Sequence, residues 1–194
     1  FKSIPNILRP ICSYHIEREN SILAVGRLND HLKGFDQLIK VFALLKNKTW
    51  VLKVAGGGEE SALTLIQLAD SLGVLERISF LGKVQDIDYL YSTAGLFVLP
   101  SRSEGFPNAL CEAMASGLPC VSFDIISGPR ELIQDGVNGY LIEDGNLEKM
   151  AKKIDDLINS PALRGRIGHN ACDIKERLNE SKIANDFLDF MLSN

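Results

Sequence analysis

At 194 residues, with 45% apolar and 24% charged side chains, the chain is long enough to bury one core without disulfide or metal staples. A formal net charge of -4 offers no basic field for a nucleic acid, and no run of about 20 apolar residues offers a membrane span. The chain begins with Phe rather than Met and shows no secretory pattern, so it is expected to be a piece of something longer.

Residues 1–20 carry no clear period and read as a lead-in. From Ser21 onward, short aliphatic runs alternate with helical patterns. "SILAVGR" (21–27) reads as a strand and "GFDQLIKVFALLK" (34–46) as a helix; "WVLKVAG" (50–56) is a strand ending in glycines, and "EESALTLIQLADSLG" (59–73) a helix closed by Gly73. "ISFLG" (78–82) precedes a short helix at 87–94, "LFVLP" (96–100) leads into "NALCEAMASG", and "CVSFD" (120–124) leads into "PRELIQDG". "GYLI" (139–142) is the last strand, and the remaining segments read as helices. The strands are continuous apolar runs rather than alternating ones, as expected when helices cover both faces. Strand–helix alternation at this spacing predicts a doubly wound parallel α/β sheet of about six strands, with ligands at the carboxyl ends of the strands. The division expected is a lead-in over 1–20, a nucleotide-binding Rossmann-like domain over 21–160, and terminal helices over 161–194, packing on that domain or toward a missing N-terminal half.

The four cysteines (Cys12, Cys111, Cys120, Cys172) form no C-x-x-C pair and do not cluster with His15, His31 or His169. They read as reduced, buried thiols, which favours a cytosolic setting.

Arg27 and Lys33 follow the first strand and precede a helix opening near Gly34. Two cations beside free helix N–H groups make a site for phosphate oxygens, although solvated loop charges would have the same sequence. Gly56, Gly57 and Gly58 close a strand and permit close backbone approach, or a plain tight turn. They match neither G-x-G-x-x-G nor a P-loop. Pro107 suits a first helical position, placing the free N–H groups of Asn108, Ala109 and Leu110 at the strand edge. Glu104 just before that helix can be explained by the helix dipole. Glu112 cannot, because its helix is largely apolar and a buried unpaired carboxylate is costly; Glu112 is expected to have a partner. Glu131 reads as helix-start chemistry, and Asp86 with Asp88 as helix caps rather than a metal-holding D-x-D. His31 reads as a loop residue.

"VGRL…KG", "AGGGEE", "ISFLGKVQD", "LFVLPSRSEGFPNALCEAMASGLPCV" and "DGVNGYLI" together resemble, in order and spacing, the C-terminal nucleotide-sugar-binding domain of glycosyltransferase family 4. The likeness covers roughly residues 20 to 160, and its most specific element is E-x7-E, Glu104 to Glu112. It implies half of a two-domain GT-B fold and a retaining transferase that needs no metal or cofactor. Such an enzyme would move a hexose or N-acetylhexosamine from a UDP-sugar to a glycan or lipid-linked acceptor held by a missing N-terminal domain. By the same resemblance, Arg27 and Lys33 would hold the leaving diphosphate, and Glu104 the donor sugar near the reacting carbon. Glu112 would accept from ribose hydroxyls, and the amides of Phe106 to Leu110 would meet sugar and phosphate oxygens. Lys83 and Val84 would lie against the base, while Gly56 to Gly58 would let the backbone run close to the donor. "EGFPN" and "DIISGPREL" depart from the commonest family wording and leave the donor sugar open. A cytoplasmic place, at the inner face of a membrane, is implied for the longer protein. A sugar-nucleotide epimerase or a non-catalytic nucleotide-sugar-binding domain on the same fold are the alternatives.

Overall fold

The computed structural model describes residues 5–58 and 62–192. Six strands form one sheet: β1 (Ser21–Val25), β2 (Val51–Ala55), β3 (Ile78–Gly82), β4 (Leu96–Leu99), β5 (Cys120–Asp124) and β6 (Tyr140–Glu143). Their order is β3-β2-β1-β4-β5-β6 and every pairing is parallel. The helices are α1 (Phe35–Leu44), α2 (Ala62–Ser71), α3 (Ile87–Thr93), α4 (Asn108–Ala115), α5 (Pro129–Leu132), α6 (Leu147–Ile158), α7 (Pro161–Ala171), α8 (Ile174–Arg177) and α9 (Glu180–Leu192). This is the doubly wound sheet expected. The residues read as the start of the α2 pattern, 59–61, lie outside the described residues.

Alternate residues of each strand feed two cores. Ile22 and Ala24 of β1 join Phe35, Leu38 and Phe42 of α1 and Met150 and Ile154 of α6 on one face. Leu23, between them, joins Tyr91 of α3 and Leu110 and Met114 of α4 on the other. β1 and β4 are therefore buried along both faces, which is why they read as unbroken apolar runs. The edge strand β3 instead alternates buried and accessible positions.

Cys111 and Cys120 are buried free thiols as expected, Cys172 is half-buried, and Cys12 is exposed, contrary to the reading of all four as core residues. Cys12 falls in the lead-in, where its backbone rather than its side chain is engaged, donating to Asp88. Among the described residues no helix is long and apolar enough to cross a membrane.

The two central loops are brought together at Gly34. This residue has φ +68, and a Cβ there would stand 2.0 Å from the Pro100 carbonyl oxygen. The start of α1 can therefore lie against the end of β4 only with glycine at this position. Gly73 has nearly the same φ, +67, with open space around it. Gly34→Ala should lower the unfolding free energy by about 3 kcal/mol, strain and overlap combined, against about 1 kcal/mol for Gly73→Ala. Urea denaturation of the two variants measures the difference.

Candidate functional site at the carboxyl edge of the sheet

The strand order reverses direction between β1 and β4. The loops leaving these strands diverge to opposite faces and leave a crevice at the carboxyl edge. In the β1 loop, Asp30 accepts from the Leu32 amide (3.0 Å) and from the Arg27 guanidinium (3.0 Å), folding a short 3-10 turn over His31–Lys33. That turn aims Lys33 at the β4 loop. The Lys33 ammonium donates to both carboxylate oxygens of Glu104, at 2.9 Å each, and the Ser101 hydroxyl donates to Oε1 at 2.7 Å. The Glu104 side chain is only 7% exposed and that of Lys33 22%, whereas Arg27 is 75% exposed and, among the described residues, its side chain is held by Asp30 alone.

Further bonds lock the two loops. The Arg102 amide donates to the Leu32 carbonyl, and its guanidinium grips Asp36 with two bonds (2.8 and 2.7 Å) and also the His31 carbonyl. A third loop, after β5, closes on the same place. Ser127 donates to the Glu104 carbonyl at 2.6 Å, and Gly128, at φ +92, packs against Pro107. On the other flank the glycine run packs on the β1 loop. The Gly57 carbonyl accepts from the Leu28 amide, and side chains at Gly56 or Gly58 would collide with Gly26 or Asn29. Gly57 itself faces open space.

Glu112 lies in a separate cluster. Its Oε1 accepts from Arg9 Nε at 2.7 Å and its Oε2 from the Tyr91 hydroxyl at 3.0 Å. The remaining guanidinium nitrogens of Arg9 go to Asp88, at 3.1 and 2.5 Å. The expectation of a partner for Glu112 is met by the protein itself, through the lead-in and α3. Arg9 holds Asp88 below the usual carboxylate range, and burial, reinforced by the charge on Glu112, pushes the Tyr91 phenol well above its usual value. Tyr91 therefore remains a hydrogen-bond donor. Glu112 lines a cleft of about 460 Å³ together with Asn6–Arg9, Phe106, Asn108 and Cys111.

Three expectations are corrected at α4 and α3. Pro107 stands one residue before the helix rather than in its first turn, with its carbonyl accepting from the Leu110 and Cys111 amides. The Asn108 amide is taken up by the Phe106 carbonyl in a tight turn, so of the three amides expected to be free only that of Ala109 lacks an internal partner among the described residues. Asp86 caps α3 as expected, accepting from the Tyr89 amide at 3.1 Å, but Asp88 is no cap: it is buried against Arg9 and the Cys12 amide. Lys33, Arg27, Glu104 and the glycine run are thus brought together, and Glu112, Phe106 and Asn108 share the second cluster. Val84 packs at the edge of the core around α3, while Lys83 is exposed and bonded to neither cluster. Glu131 is exposed in the first turn of α5, and His31 lies in the β1 loop, both as read.

The chain matches the family model described as glycosyl transferases group 1 over residues 13–173. The chain belongs to this family. It is 39% identical over 161 residues to an uncharacterized glycosyltransferase of Haemophilus influenzae, covering 82% of this chain and 45% of that protein. It is 32% identical over 147 residues to the amylovoran biosynthesis glycosyltransferase AmsD of Erwinia amylovora, covering 76% and 41%. Among solved structures, a mutant of S. aureus TarM, crystallised with Fondaparinux, alpha-GlcNAc-glycerol and UDP, has a TM-score of 0.90 at 26% identity, covering 97% of this chain and 38% of TarM. The chain spans less than half the length of each of these proteins.

Sequence reasoning passed over Ser101, Arg102, Tyr91, Ser127 and Arg9. Ser101 precedes Glu104 by one turn's spacing and was within reach of a local argument. Arg9 was not, because the lead-in has no period to show which way its side chains face.

Two ion pairs of this group 1 domain contribute to its stability against acid. Hydrogen bonds from Arg102 hold Asp36 below the ordinary range, as those from Arg9 do for Asp88. Both folded-state values lie below the unfolded ones, so the stability they contribute is complete above about pH 5 and is lost as pH falls through the folded values. Asp36→Asn and Asp88→Asn should each flatten the fall in urea midpoint between about pH 5 and about pH 2.

Proposed function

We propose that the chain is the donor-binding half of a retaining glycosyltransferase. It would transfer a hexose or N-acetylhexosamine from a UDP-sugar to a glycan or lipid-linked acceptor without a metal ion. The observation that carries the reading is the Lys33–Glu104 pair, buttressed by Ser101 at the strand-order reversal with the exposed Arg27 beside it. Lys33 spends two of its three N–H donors on Glu104 and keeps one for a phosphate oxygen. Arg27, exposed and tethered at Asp30, swings to the same diphosphate. Two cations at the leaving group supply the charge stabilisation that a divalent ion gives in other transferases. The two aspartates of the D-x-D are already engaged, at the α3 cap and on Arg9, which supports the same reading.

Glu104 would meet the donor sugar's hydroxyls, with Phe106, Pro107, Asn108 and the Ala109 amide following it in the same loop and helix start. Glu112 takes the ribose hydroxyls, Lys83 and Val84 flank the base, and Gly57 and Gly58 let the backbone approach the donor. In the transfer, the bond from the acceptor oxygen to the anomeric carbon forms on the face from which the bond to the phosphate oxygen breaks. The acceptor's hydroxyl proton passes to the departing phosphate. Glu104 and Glu112 are then grips on the donor, not the acid–base pair of a hydrolase. The acceptor half is supplied by the rest of a longer protein, working in the cytoplasm at the inner face of a membrane, so this chain alone binds donor and transfers little.

Calorimetry tests the reading. Wild type should bind UDP, and Arg27→Ala with Lys33→Ala should weaken binding on the order of 100-fold, with Arg27→Ala alone losing about tenfold. The single variant alters an exposed side chain and leaves the Glu104 pair intact, so it separates lost phosphate contacts from lost stability. Absence of binding by wild type, or equal affinity in the variants, overturns the proposal.

A further inference from the structure

The Arg9 network goes beyond the family's sequence phrase, and its interpretation here rests on the donor reading above. Glu112 offers two oxygens with about four lone-pair positions. Arg9 Nε uses one on Oε1 and the Tyr91 hydroxyl one on Oε2, so each oxygen keeps acceptor capacity. The carboxylate is 17% exposed and lines the cleft of about 460 Å³ together with Asn6–Arg9. Two oxygens of one carboxylate, braced from behind and open in front, suit two adjacent hydroxyls. The brace is firm because four of the five N–H donors of Arg9 are taken: NH1 also reaches the Pro10 carbonyl at 3.1 Å, and Asp88 is itself pinned by the Cys12 amide at 3.0 Å. Asn6 adds a bond to Asn108 at 3.3 Å, at the first residue of α4.

We propose that Arg9 is a positioning residue that fixes Glu112 to receive the vicinal diol of the nucleotide's ribose, with Asn6–Arg9 forming one wall of the donor cleft. Without Arg9, the carboxylates of Asp88 and Glu112, only 10% and 17% exposed, would face each other with no cation between them. Glu112 would then swing away, and a ribose hydroxyl would lose its acceptor.

The test compares UDP with 2′-deoxy-UDP by calorimetry, since the ratio of the two affinities isolates the hydroxyl contact from overall binding. Wild type should prefer UDP on the order of tenfold. Glu112→Gln and Arg9→Met should bring the ratio close to one. Arg9→Lys keeps a charge but not the fork, and should fall between. Thermal melting is recorded for each variant. If a folded Arg9→Met or Arg9→Lys keeps the wild-type ratio while weakening both nucleotides equally, Arg9 is only a wall of the cleft and the inference is overturned. It is overturned in favour of a purely structural role if neither variant folds. Wild type that binds UDP without preferring the 2′-hydroxyl overturns it and leaves the donor reading standing. Wild type that binds neither nucleotide overturns both.

Discussion

A lysine and a glutamate 71 positions apart, Lys33 and Glu104, share a two-pronged ion pair at the point where the sheet reverses its strand order. A carboxylate that is 7% exposed is costly to bury without a partner, and here the partner comes from a different loop. The geometry that permits this is set below it: Gly34 lets α1 start against Pro100, and Arg102 ties the β4 loop back to Asp36. Weakening any of these would separate the cation from the carboxylate. The pair is costly to bury, so its presence is weak evidence of a device for stability alone.

The second carboxylate follows a different rule. Glu112 is satisfied not across the switch point but from beneath, by Arg9 and Tyr91. The E-x7-E spacing thus does not bring two acids to one another. It places one in the loop after β4, on Lys33, and the other on the flank of α4, where it shares Arg9 with Asp88, so the two glutamates draw on different cations. A ligand spanning both clusters would meet two carboxylates whose orientations are already set, and the reorganisation required on binding would be small.

Which parts of this were legible follows from what leaves a periodic or compositional trace. Strands β1, β4 and β5 are covered on both faces and announce themselves as apolar runs, and the alternation with helices implied a parallel sheet. Burial logic identified Glu112 as a carboxylate needing a partner because Leu110, Ala113 and Met114 crowd its helix. It could not name that partner, since Arg9 sits in a stretch without regular structure 103 residues away. The same limit applied at Pro107. The ring favours a helix start, but a Phe106 carbonyl that captures the Asn108 amide moves the start by one residue and removes a donor from the edge. Asp88 was read by local rules that favour capping, and a tertiary contact overrode them.

The lead-in gives the clearest case of order without periodicity. Arg18 donates to the carbonyls of Tyr91 and Ala94 at the end of α3 and of Ser116 at the end of α4. Its guanidinium, partly desolvated there, is held by helix-terminal carbonyls rather than by a carboxylate, which is favourable at the negative ends of two helix dipoles. Arg9 engages Glu112 midway along α4, while Arg18 engages Ser116 at its C-terminal end. One irregular segment therefore fixes α4 at two points and α3 alongside it. Any shift of that segment acts on the helix that carries Glu112, so the placement of this carboxylate depends on residues that belong to no strand or helix of the domain.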